Sequence, residues 1–206
     1  MNVSEETLKD FINQQIELYG DEAVISTDLF LQTDKKPELI QNEFLYCEGN
    51  PEASLVLVAE TSESNAIPLG SFFGNETGLL LEKILKAIDF DRKQVLVCSL
   101  PKFQPQNEFD ESNKIEQTGL NLEKQLDQVE PAFILCLGKT ASRILLEKEQ
   151  DVNSLHGQML DYKSSRLMVT YHPLTLIKKS ELKRTTWEDI KFLKREYDKY
   201  VSNNYE

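Results

Sequence analysis

The chain has 206 residues, 40% hydrophobic and 28% charged, which is the profile of a globular protein long enough for one α/β domain with a sizeable core. A net charge of −12 argues against a protein that coats nucleic acid by charge alone. The acidic start MNVSEETLKD is not a secretory signal, no apolar run is long enough to cross a bilayer, and Cys47, Cys98 and Cys136 show no CxxC spacing, so a cytoplasmic protein with reduced thiols is expected.

Residues 2–19 carry Leu8, Phe11, Ile12 and Ile16 at helical spacing, with Asn2 and Glu5 placed for a capping box. A loop-rich stretch without an assignable element follows, to about residue 51. SLVLVA (54–59) is a short, continuous apolar run, as expected of a strand buried on both faces. After a loop with Pro68, Gly70 and Gly74, TGLLLEKILKAIDF (77–90) predicts a helix with Leu80, Leu81, Ile84, Leu85 and Ile88 on one side. QVLVCSL (94–100) is a second buried strand, and PKFQPQNEFDESN (101–113) a long polar loop. IEQTGLNLEKQLDQVE (115–130) predicts a helix stopped by Pro131. AFILCLG (132–138) and RLMVTYH (166–172) are a third and fourth strand, with KTASRILLEKE (139–149) and KRTTWEDIKFLKREYDKYV (183–201) as helices after them. No internal repeat or low-complexity tract is present. Strands alternating with helices predict a single three-layer α/β/α domain with a central, mainly parallel four-stranded sheet. Residues 1–50 form its N-terminal extension and 54–200 its core.

In open α/β sheets, ligands bind beyond the carboxyl ends of the strands. Glu60, Ser99, Gly138 and His172 stand at those four ends, and the loops over 61–73 and 101–113 exceed the usual length of such connections. Charge is also uneven. The stretch 163–200 carries about +5 and the remainder about −17, so a basic C-terminal third is joined to an acidic body. Its lysines form either a phosphate-contacting patch or simply the solvated face of a helix.

Two motifs fail on spacing. LGKTAS (137–142) contains Gly-Lys-Thr after a strand, but a phosphate loop also needs a glycine five residues before Gly138, where Phe133 stands. His156 and His172 are not spaced as paired metal ligands and no cysteine lies near either, so no metal site is expected. His156, in SLHGQ, reads as a loop residue with Gly157 supplying a turn. GxSxG is absent as well.

LVLVAETSES, GSFFGNETGLLL, LCLGKTASRILL and TYHPLTLIKKSELKRTTWEDI, in this order, resemble the motifs of the uracil-DNA glycosylase superfamily, most nearly its iron–sulfur branch. The resemblance implies that Glu60 is the acidic residue of the first motif, although the glycines and proline that surround it in the family give way to Ala59, Thr61, Ser62 and Glu63. It implies that Phe73 stacks on a flipped base, that Gly78 opens the next helix, and that His172 is the histidine of the last motif, followed by Pro173. Ser99 stands where the family has a base-reading asparagine. A hydroxyl offers one contact there, not the paired donor and acceptor of an amide. The cluster cysteines are missing, with Phe103 where one would lie, so no iron–sulfur cluster is expected.

The function implied is a cofactor-free glycosylase acting on uracil or a related damaged base in single-stranded or duplex DNA. His172 would donate to the base oxygen and Glu60 would orient water or stabilise the sugar cation. Phe73 and Ser99 would hold the base, and Lys178, Lys179, Lys183 and Arg184 the flanking phosphates. The resemblance equally admits a catalytically inactive member, a repair or replication interaction module with a protein partner. A monomer without membrane contact is expected in either case.

Overall fold

The computed structural model describes residues 37–61, 76–102, 108–146 and 150–205, all within one compact unit, Pro37–Glu206. The N-terminal helix expected over 2–19, most of the long loop after Glu60, and Phe73 lie outside the described residues. In chain order the described elements are β1 (Tyr46–Gly49), β2 (Leu55–Glu60), α1 (Glu76–Ala87), β3 (Val95–Leu100), α2 (Glu108–Val129) and β4 (Phe133–Leu137). They continue with α3 (Lys139–Leu146), α4 (Val152–Leu155), β5 (Met159–Tyr162), β6 (Ser165–Thr170), α5 (Pro173–Lys178) and α6 (Lys183–Tyr205).

The sheet has six strands, not four, in the order β1-β3-β2-β4-β6-β5. The four expected strands are its parallel centre, and β1 and β5 pair antiparallel at the edges. The centre is apolar because both of its faces are covered. Val56, Val58, Leu96, Ile134 and Val169 pack with Leu122 and Leu126 of α2, Ala141 and Leu145 of α3 and Leu155 of α4. The alternate residues Leu57, Ala59, Val97, Leu135 and Met168 pack with Leu81 and Leu85 of α1 and Ile190 and Leu193 of α6. Burying each such leucine stabilises the fold by about 1.5–3 kcal/mol. The expected three layers are therefore present.

The path through the sheet creates the site. From β2 the chain moves through α1 to β3 on one side. It then crosses through α2 to β4 on the other side of β2. Right-handed crossovers put helices on opposite faces when the direction of winding reverses, as seen for α1 and α2. The crevice between the carboxyl ends of β2 and β4 is thus a topological switch point, where neighbouring loops diverge and leave room for a ligand.

The last helix, α6, runs antiparallel to the parallel strands. Near its start Asp189 meets Thr170 at the carboxyl end of β6, and further on Tyr197 packs on Phe133 at the amino end of β4, ring centroids 5.7 Å apart. Its first residues, Lys183 and Arg184, are about 9 Å beyond Asp189 at 1.5 Å per residue, and so lie past the carboxyl edge of the sheet.

Candidate active site

Glu60 is the last residue of β2, held in register opposite Leu100 of β3, and the ladder continues one step further through Thr61 N–H to the Leu100 carbonyl at 2.9 Å. Across the switch point β4 ends at Leu137 and Gly138 turns the chain into α3. Gly138 has φ +92°, and its N–H reaches the Thr170 carbonyl of β6 at 2.9 Å. A side chain there would be strained by φ and would also meet His172, since an added Cβ would lie 3.0 Å from the His172 Cβ. Glycine at 138 therefore allows the end of β4 and the segment after β6 to approach this closely.

His172 caps the N-terminus of α5. Its extended backbone (φ −67°, ψ 140°) precedes Pro173 at the first helical position, where the fixed proline φ suits a helix start. Its ring Nδ1 accepts the Leu174 N–H at 3.1 Å. An Nδ1 that accepts a hydrogen bond carries no proton, so in the neutral ring the proton sits on Nε2. Nε2 is 2.8 Å from the Glu60 backbone carbonyl and donates to it. Burial lowers the imidazole pKa from 6.5, and the Glu60 hydrogen bond opposes that shift only in part. The ring is thus a neutral donor with a fixed tautomer.

The Glu60 carboxylate has a different partner. Its Oε2 accepts the Thr140 hydroxyl at 2.7 Å, from the first turn of α3. Glu60, Gly138 and His172, three of the four strand-end residues, are brought together. The fourth is not. Ser99 pairs with Ala59 and shares the face of Val97 and Leu57, whereas the side chain of Glu60 reaches α3 on the opposite face. The Ser99 hydroxyl is buried and has no hydrogen-bond partner among the described residues.

A network behind His172 was not visible in the sequence. The buried Asp189 accepts the Thr170 hydroxyl at 2.6 Å, and its other oxygen is 3.4 Å from His156 Nδ1. Burial raises the Asp189 pKa, and the Thr170 and His156 contacts offset this in part. Tyr171 donates to Asn153 at 2.6 Å and its ring lies 5.6 Å from that of His156. His156 is therefore more than a loop residue: it closes α4, bridges Val169 and packs against the segment carrying His172. Gly157 supplies the expected turn, with φ +71°. No sequence signal pairs His156 with Asp189, because the two are 33 residues apart.

Lys178, Lys179, Lys183 and Arg184 are all exposed, from the last turn of α5 to the first turn of α6. They follow His172 along the carboxyl edge. The cysteines do not fit a four-thiolate cluster. The chain has three, and Cys47 and Cys98 lie side by side in β1 and β3 with sulfurs 3.0 Å apart. Cys136 is separated from Cys98 by Val58 of the intervening strand. Among the described residues no group of three or more His, Cys, Asp or Glu is arranged to hold a metal ion.

The profile of the Uracil DNA glycosylase superfamily matches residues 47–191, which include both sides of the switch point. The chain is 28% identical over 154 residues to the Type-4 uracil-DNA glycosylase of Sulfurisphaera tokodaii, covering 70% of each protein. It is 25% identical over 152 residues to the Type-4 uracil-DNA glycosylase of Archaeoglobus fulgidus, covering 69% of this chain and 76% of that one. A third relative, the Type-4 uracil-DNA glycosylase of Saccharolobus solfataricus, is 24% identical over 157 residues. With the sheet order, the switch point and the ordered motifs, these matches give the family: the chain belongs to the uracil-DNA glycosylase superfamily.

Proposed function

We propose that the protein is a monomeric, cofactor-free glycosylase that hydrolyses the N-glycosidic bond of uracil, or of a related deaminated or damaged base, flipped out of single-stranded or duplex DNA. The observation that carries this reading is the meeting of His172 and Glu60 at the switch point, with the imidazole fixed as a neutral Nε2–H donor. The names of the relatives support uracil as the first base to test.

In the reaction, the bond between the base nitrogen and the sugar C1′ breaks and its electron pair leaves with the base. The extruded base takes the place of the Glu60 carbonyl as acceptor of the His172 N–H, which stabilises the charge developing on the base oxygen. Positive charge accumulates at C1′, where the Glu60 carboxylate stabilises it and takes a proton from the attacking water. Phe73 stacks on the base, whereas the Ser99 hydroxyl, buried on the sheet face opposite the Glu60 side chain, is not assigned a contact to it. Lys178, Lys179, Lys183 and Arg184 hold the phosphates flanking the extruded nucleotide.

One observation favours a second reading, a catalytically inactive interaction module. The two polar groups at the switch point are bonded within the protein, His172 to the Glu60 carbonyl and Glu60 to Thr140. A single experiment separates the two. The protein is incubated with single-stranded and duplex DNA carrying uracil, hypoxanthine or other lesions, and abasic sites are scored by alkaline cleavage. A glycosylase produces them, and His172→Ala and Glu60→Gln abolish or strongly slow their formation. No abasic sites with any base, or unchanged rates in both variants, removes the catalytic reading in favour of the module.

A further inference from the structure

The threonine of LGKTAS is not part of a phosphate loop, yet its side chain points at the switch point. We propose that Thr140 is the positioning residue of the Glu60 carboxylate. The proposal rests on the reading of Glu60 as the group that handles water and the sugar cation. The two residues are 80 apart in sequence and stand on opposite sides of the β2–β4 crevice, joined by the 2.7 Å hydrogen bond from Thr140 Oγ1 to Glu60 Oε2.

A glutamate at a strand end has three rotatable side-chain bonds, so its carboxylate must be held to act on one atom. A hydroxyl in a helix commonly bonds back to the carbonyl one turn earlier. Thr140 lies in the first turn of α3, after the turn at Gly138, and donates across the crevice instead. Its β-branched side chain has few rotamers, which fixes the direction of the hydroxyl. One carboxylate oxygen is thereby held while Oε1 remains to accept from water.

The test compares Thr140→Val, which keeps the shape and loses the hydroxyl, with Thr140→Ser, which keeps the hydroxyl. Single-turnover excision of uracil, DNA affinity and thermal melting are measured for both. A small misplacement of a reacting group costs about 10- to 100-fold in rate. Thr140→Val should lose about that much in the single-turnover rate, with its DNA Kd unchanged within about twofold, and Thr140→Ser should recover most of the loss. Combining Thr140→Val with Glu60→Gln should add little to Glu60→Gln alone, because both act through one group. A Thr140→Val protein that excises at the wild-type rate, or a Thr140→Ser protein as impaired as Thr140→Val, overturns the role of Thr140 and leaves the glycosylase reading standing. A wild-type protein that excises nothing overturns both.

Discussion

Among the interactions that replacing His172 with alanine removes are two hydrogen bonds whose separate contributions can be measured. The first is the cap on α5, the 3.1 Å bond from Leu174 N–H to Nδ1, whose loss costs about 1 kcal/mol. The second is the 2.8 Å bond from Nε2 to the Glu60 carbonyl, which leaves a partly buried acceptor without its partner at a cost of about 1–3 kcal/mol. His172→Ala should therefore lose about 2–4 kcal/mol, and His172→Asn about 1 kcal/mol less, because its side-chain oxygen still caps the helix while its shorter arm does not span to Glu60. Urea denaturation at pH 7.5 reads both as shifts in midpoint at constant slope. The same ring imposes a pH dependence. Burial lowers its folded pKa below 6.5, so between the two pKa values the unfolded chain binds more protons than the folded one. Its contribution to stability is full above pH 6.5 and is lost as pH falls from there towards the folded pKa, with a slope of at most about 1.4 kcal/mol per pH unit. His172→Asn should lack this limb. Ala and Asn variants both within about 0.5 kcal/mol of wild type, with the acid limb unchanged, would refute the fixed neutral tautomer.

Three further outcomes are expected. Gly138→Ala, forced to place a Cβ 3.0 Å from His172 Cβ at φ +92°, should cost about 1–3 kcal/mol and shift the His172 ring resonances in an NMR spectrum. Asp189→Ala leaves the buried Thr170 hydroxyl unpaired and should cost about 1–3 kcal/mol in denaturant, whereas Asp189→Asn keeps an acceptor for it and should stay within about 1 kcal/mol. Asp189→Asn should also remove the part of the pH dependence in which stability falls as pH rises from 3.8 through the raised folded pKa. Replacing Lys178, Lys179, Lys183 and Arg184 together with alanine should reduce the slope of log affinity against log salt for a single-stranded oligonucleotide by roughly 3. An unchanged slope would remove them from the DNA contact.

The four central strands were legible because a strand covered on both faces is written as a continuous apolar run. The edges were not. In β1 and β5, YCEG and MLDY, only Cys47 is fully buried and no apolar run forms. The hairpin joining β5 to β6 turns through Lys163 at φ +49°, without the glycine or asparagine that usually marks such a turn. The polar residues FDESN, expected to be loop, fall in the first turns of α2, where helix propensity is weak and packing elsewhere along the helix decides. At the site, the carboxyl-edge rule located Glu60, Gly138 and His172. It could not assign a face, which is why Ser99 was grouped with Glu60. Thr140 and Asp189 were hidden because their partners are 80 and 19 residues away.

The first motif departs from the family on both sides of its acidic residue, at Ala59 before it and at Thr61, Ser62 and Glu63 after it. That departure would matter most if the loop positioned the carboxylate, the task we propose for Thr140. Glu60 is a strand residue, fixed by its register with Leu100, by its carbonyl to His172 and by its carboxylate to Thr140. None of these contacts draws on residues 62 or 63. The proline and the glycine that follow the acidic residue in the family would change the freedom of the chain beyond the strand, and so bear on how a base enters rather than on where the carboxylate stands. Substituting Ser62→Gly and Glu63→Ala together should accordingly leave the Glu60 contacts and the melting temperature close to wild type. If excision is present, its DNA affinity should change more than its single-turnover rate. A large change in single-turnover rate at unchanged affinity would show that the loop, and not the strand and Thr140, aims the carboxylate.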